Sequence, residues 1–158
     1  MEWRNIRNNH DVEELMRIAE CFHDWYVADF RYDPLVRTKD NDKSLARYYE
    51  DSDTLFLTLR YDSRDEDGIF PEFDFEFYGV VDMTFGNFKK PDSLWECLLE
   101  KAGQDWVLIA EDPLTDEERN SLSKVKSILF FRAKEIRWRR SKGKLWSDEC
   151  LNGKGEII

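Results

Sequence analysis

The chain has 158 residues, 37% of them charged and 15% aromatic, with 24 Lys and Arg against 34 Asp and Glu for a formal charge of −10. That size suits one domain, residues 1–158, with its own core, and abundant aromatics exclude a disordered chain. The negative excess disfavours nucleic acid and anionic lipid and favours a basic partner, while no apolar run reaches the roughly 20 residues of a membrane span and no apolar leader opens the chain, so a cytoplasmic location is expected.

In chain order, the first element is a helix over 11–22, because Val12, Leu15, Met16, Ala19 and Phe22 line one face at a 3.6-residue period and Asp11 with Glu14 supplies a start signal. From Trp25 to Tyr32 the period becomes two, with Tyr26, Ala28, Phe30 and Tyr32 on one face. Residues 35–52 read as a long polar connection with a short helix around Leu45 to Tyr49. Two strands follow, Thr54 to Tyr61 and Phe73 to Met83, joined by a charged tip, Asp62 to Gly68, as in an antiparallel hairpin with one apolar and one wet face. Ser93 with Glu96 predicts a second helix near 93–102, although the apolar run Trp95, Cys97, Leu98 and Leu99 also fits a buried strand. Trp106 to Ala110 is a short strand, and Thr115 with Glu118 marks a brief helix or turn. In the last strand, from Ser127 to about Arg139, Leu129, Phe131 and Ala133 share a face but Ile136 and Trp138 are out of phase, which predicts a β-bulge near Lys134 and Glu135. Residues 142–158 read as a loose tail, apart from Leu145 and Trp146, which could fold back onto the sheet. The fold class expected is α+β: a mainly antiparallel sheet of five to six strands, covered on one face by the two helices.

Cys21, Cys97 and Cys150 are odd in number and far apart, so neither a disulfide framework nor a metal knuckle is read, and no cofactor motif occurs. His23-Asp24 is the only obvious histidine–carboxylate pair, yet neighbours on a strand point to opposite faces, so a role in satisfying nearby backbone groups is preferred to a hydrolase dyad. Ser63, Asp65, Asp67, Gly68 and Asp74 match a calcium loop poorly. Asp74 and Glu76 share a face, and residues 124–144 hold nine basic residues and one acid, leaving 15 basic and 33 acidic residues elsewhere. That strip could serve nucleic acid, with Trp138 and Trp146 for stacking; pairing of the basic strand with the Asp74 and Glu76 strand is the reading preferred.

Phe22-His23-Asp24-Trp25-Tyr26-Val27 after an amphipathic helix, followed by Leu55-Phe56-Leu57-Thr58-Leu59 and by Phe77-Tyr78-Gly79-Val80, resembles small bacterial proteins, some catalogued as immunity proteins of polymorphic toxin systems, over residues 10–85 and the late strand with Ile136 and Trp138. The resemblance implies a protein that binds and blocks a toxin without chemistry of its own. Together with the acidity, it leads to an immunity-like binding module, not an enzyme, that docks a basic toxin domain through Asp65, Glu66, Asp67, Asp74, Glu76 and Tyr78. The alternatives are a homodimeric scaffold joined at a strand edge and a hydrolase using His23 and Asp24.

Overall fold

Segments of alternating apolar and polar residues build an antiparallel sheet. In the structure, a computed structural model, residues 2–33, 53–85, 94, 97–110, 115–120 and 129–145 are described. Among these residues seven strands form the sheet: β1 (Arg4–Asn5), β2 (Trp25–Asp33), β3 (Thr54–Tyr61), β4 (Glu72–Phe85), β5 (Cys97–Ala102), β6 (Asp105–Ala110) and β7 (Leu129–Lys142). Their order is β2-β3-β4-β7-β6-β5, with β1 paired to β7, and every pairing is antiparallel. One helix of ten residues, α1 (Asn9–Ile18), precedes a 3-10 turn (Glu20–Phe22), and a five-residue helix, α2 (Asp116–Asn120), lies between β6 and β7. None of the described helices is long and apolar enough to cross a membrane.

The sheet curls until its two ends touch. Asp24 donates its N–H to the Leu94 carbonyl at 3.0 Å and Leu94 donates to Trp25, so the segment leading into β5 bridges the start of β2. The inner face therefore encloses the core: Leu55, Leu57 and Leu59 of β3, Phe73, Phe75 and Phe77 of β4, Trp106 and Leu108 of β6, and Ile136 and Trp138 of β7. Phe30 of β2 stacks on Phe131 of β7 with ring centroids 5.9 Å apart, although β3 and β4 separate the two strands in the sheet. Leu15 and Ala19 of α1 and Phe22 join the same cluster. Each such side chain contributes about 1.5–3 kcal/mol by leaving water.

Several expectations change. The helix runs over Asn9–Ile18 because Asn8, not Asp11, is the cap: the Asn8 side chain accepts the Asp11 N–H at 3.1 Å, and Asp11 accepts the N–H groups of Asn8 and Arg7. The second helix near 93–102 is instead strand β5. Its apolar run reflects burial on both faces, since Cys97 and Leu99 enter the main core while Leu98 and Ala102 meet Val107, Ile109 and Phe130 on the opposite side. Gly103, at φ +64°, and Gln104 turn the chain into β6, with Ala102 opposite Asp105. One face of the sheet is thus wet only along part of its width.

In β2 the register shifts between Val27 and Asp29, so Trp25 and Val27 join Phe30 and Tyr32 against the core and Tyr26 turns outward. The phase change at Lys134 and Glu135 exists, but without a one-sided insertion. Phe77 faces Ile136 and Val80 faces Ala133, so β4 inverts in step with β7, where Gly79 adopts φ +62°. The register shifts lie at Val80/Asp82 and Glu72/Phe73 instead. Strand β7 continues to Lys142, beyond the expected end, and Leu145 packs against the core; the short helix read around Leu45 to Tyr49, Cys150 and Trp146 fall outside the described residues.

Candidate functional site

Across β2, β3, β4 and β7 the residues pointing away from the core align in rungs. Tyr26, Arg60, Glu72 and Lys142 form the first, Asp29, Thr58, Asp74 and Arg139 the second, Arg31, Phe56, Glu76 and Arg137 the third, and Asp33, Thr54, Tyr78 and Glu135 the fourth. Opposite charges thus face each other across strands at the spacing where such pairs interact. Arg60 binds Glu72 at 2.6 Å and Lys142 binds the same carboxylate at 2.9 Å. Asp74 accepts hydrogen bonds from Thr58 at 3.0 Å, Arg139 at 3.0 Å and Ser141 at 3.1 Å. Glu76, only 8% exposed, accepts from Arg137 and from the Tyr78 hydroxyl. Burial and this bond to Glu76 push the Tyr78 phenol up to about 12, so it remains a donor at neutral pH.

The guanidinium groups of the ladder also cover aromatic rings. Arg31 lies 4.2 Å from the centre of Phe56, Arg60 5.9 Å from Tyr26, and Arg137 5.2 Å from Tyr78. Trp3, just before β1, is covered by Arg137 at 4.8 Å and Arg139 at 4.6 Å. Every one of these arginines is itself paired, Arg31 with Asp33 at 3.4 Å and the others with ladder carboxylates. Rings and charges therefore hold one another, with all four rings half-buried.

The six residues expected to bind a partner divide into two places. Asp74, Glu76 and Tyr78 belong to the ladder, where both carboxylates are committed to arginines. Asp65, Glu66 and Asp67 occupy the tip between β3 and β4. Asp65 accepts the N–H groups of Asp67 at 3.0 Å, Ile69 at 2.8 Å and Lys144 at 2.9 Å, and these bonds, that of Ile69 first, hold its carboxyl below the ordinary 3.8. Glu66 and Asp67 are exposed and meet the Lys144 ammonium at 3.0 and 2.8 Å. The basic strip pairs across the sheet as preferred: Arg132 with Asp105 at 2.6 Å, Arg137 with Glu76, Arg139 with Asp74 and Lys142 with Glu72.

His23 and Asp24 do meet, Nδ1 to Oδ2 at 2.9 Å, with each side chain nearly half exposed. They can because the strand has not begun: Glu20, Cys21, Phe22 and Asp24 all have φ between +49° and +65°, the left-handed region that costs a non-glycine residue about 1–2 kcal/mol. Phe22 holds this turn, buried edge-on against Trp25, Phe73 and Phe75 at 5.3–5.6 Å. Among the described residues no cluster of three or more His, Cys, Asp or Glu side chains could hold a metal ion. A cleft of about 310 Å³ lies between β1, the end of α1 and β7, lined by Glu2, Trp3, Arg4, Ile18, Trp138 and Arg140.

Strand alternation already sets Arg31 and Phe56 opposite the apolar faces of their strands, but reading the residues alone named neither as a site residue and missed Trp3 and Tyr26 as parts of the outer face. Strand alternation marks Phe56 and Arg60 as sharing a face, but the stacking of Arg31 on Phe56 follows from a register that the bulge at Ala28 sets. No family model matches the chain, and searches of curated proteins and of solved structures find no match either.

Proposed function

We propose that the chain is a non-catalytic, immunity-like binding module that captures a basic protein domain, of the kind a nucleic-acid-cutting toxin would carry, on the outer face of β2, β3, β4 and β7 and the adjoining tip. The observation that supports this most is the set of half-buried rings Trp3, Tyr26, Phe56 and Tyr78, each covered by an arginine that is itself ion-paired. Tyr, Trp and Arg supply most of the binding energy at protein interfaces, and side chains fixed beforehand lose little entropy on association. Asp74 and Glu76 then act by holding Arg139 and Arg137 in place, whereas Glu66 and Asp67, exposed, meet the partner's cations. The formal charge of −10 attracts a basic partner to the molecule as a whole.

The test is affinity capture from the source cells, followed by calorimetry on the purified pair at two ionic strengths. A basic protein should bind, more weakly at higher salt, and Tyr78→Ala and Phe56→Ala should each cost about tenfold or more in affinity. Capture of no basic protein, or equal binding by both variants, contradicts the proposal.

A further inference from the structure

The end of β7 folds back onto the tip between β3 and β4. Gly143 turns the chain at φ +71°, and a Cβ there would lie 2.7 Å from the Cα of Pro71, so the two segments pass backbone against backbone. The next residue, Lys144, donates its N–H to Asp65 at 2.9 Å, while the other oxygen of Asp65 holds the N–H groups of Asp67 and Ile69. Backbone contacts therefore fix where Lys144 stands. Its side chain, 57% exposed, sets the ammonium on Glu66 and Asp67, whose side chains are 66% and 55% exposed. Hydrogen bonds from Lys144 to Asp67 and then Glu66 raise its pKa, so it stays cationic at neutral pH.

We infer that Lys144 is an autoinhibitory side chain, an internal cation standing where the partner's lysine or arginine must enter. The inference rests on the proposed function, in which Glu66 and Asp67 meet a basic protein. Exposed ion pairs are weak, so the ammonium can be displaced, while the Asp65 bond and the Gly143–Pro71 contact keep the backbone at Gly143 and Lys144 in place. The tip is thereby shielded from weak cations and opens to a partner that brings several.

The test uses the full chain and octalysine as the probe, with calorimetry at low salt and the amides of Glu66, Asp67 and Lys144 followed by NMR. Lys144→Gln should bind octalysine roughly threefold more tightly than the unaltered chain. Lys142→Gln removes the same charge two residues away, from a side chain paired with Glu72, and should give a clearly smaller gain. Adding Glu66→Gln and Asp67→Asn should abolish the advantage of Lys144→Gln. Equal gains from Lys142→Gln and Lys144→Gln would reduce the effect to net charge and overturn the inference, as would no gain from Lys144→Gln or no binding of octalysine by either form. Each of these leaves the proposed function to be decided separately, by the captured partner and Tyr78→Ala.

Discussion

Glu76 shows how a single carboxylate organises its surroundings. It faces Arg137 across the β4–β7 pairing, lies only 8% exposed, and accepts from both the guanidinium and the Tyr78 hydroxyl. Replacing it with alanine leaves a half-buried arginine without that partner, so Glu76→Ala should lose about 1–3 kcal/mol in a denaturant titration, and Glu76→Gln, which can still accept a hydrogen bond, should lose less. Tyr78 adds a dependence on pH. Its folded pKa is raised from 10.0 to about 12, so the stability it contributes is fully present below pH 10 and is lost as pH rises toward 12. Tyr32 and Tyr61 are raised as well, chiefly by burial, and act in the same direction. The denaturation midpoint should therefore fall between pH 10 and 12, and Tyr78→Phe should shrink that fall; an unchanged fall would contradict the link between phenol and carboxylate. The types of these residues were legible in the sequence, and so was the pairing of a basic strand with Asp74 and Glu76. What could not be read was their burial, because Glu72 and Glu76 sit on the face expected to be wet and are nonetheless covered by the arginine and lysine stems opposite them.

At the scale of elements, the turn from α1 into β2 carries the most strain. Four residues in the left-handed region between Glu20 and Asp24 are held in part by the packing of Phe22 among Trp25, Phe73 and Phe75 and by the backbone bonds of Asp24 to both Leu94 and Asp62. Phe22→Ala should cost about 3–5 kcal/mol by calorimetry and should speed amide exchange at His23 and Asp24 more than in β3. A loss under 1 kcal/mol would show that the turn is not held by this side chain. Strands β3 and β4 were read correctly because one face is apolar and the other polar, which makes the period of two visible. Strand β5 was not, since apolar neighbours on both sides erase the alternation and leave a run that resembles a buried helix. The pair Gly103-Gln104, between apolar runs, is the hairpin signal that could have corrected it. The start of α1 was misplaced for a different reason: Asp11, the third helical residue, completes a capping box while Asn8 provides the cap.

For the whole molecule, curling explains how a sheet with one main helix encloses a core. Among the described residues, β2 beyond the bridge between Trp25 and Leu94 pairs only with β3, and on it Asp29, Arg31 and Asp33 are exposed and the register is broken at Ala28, features that discourage edge pairing. The surface proposed above for a partner is the aromatic and ionic outer face with its acidic tip. Cross-saturation mapping of the isotope-labelled chain, bound to the basic protein that the proposal expects it to capture, addresses that surface most directly. Signal loss should concentrate at Trp3, Tyr26, Phe56, Tyr78, Glu66 and Asp67 and spare His23, Asp24 and β5. A footprint centred on His23 and Asp24 instead would contradict the assignment of the outer face.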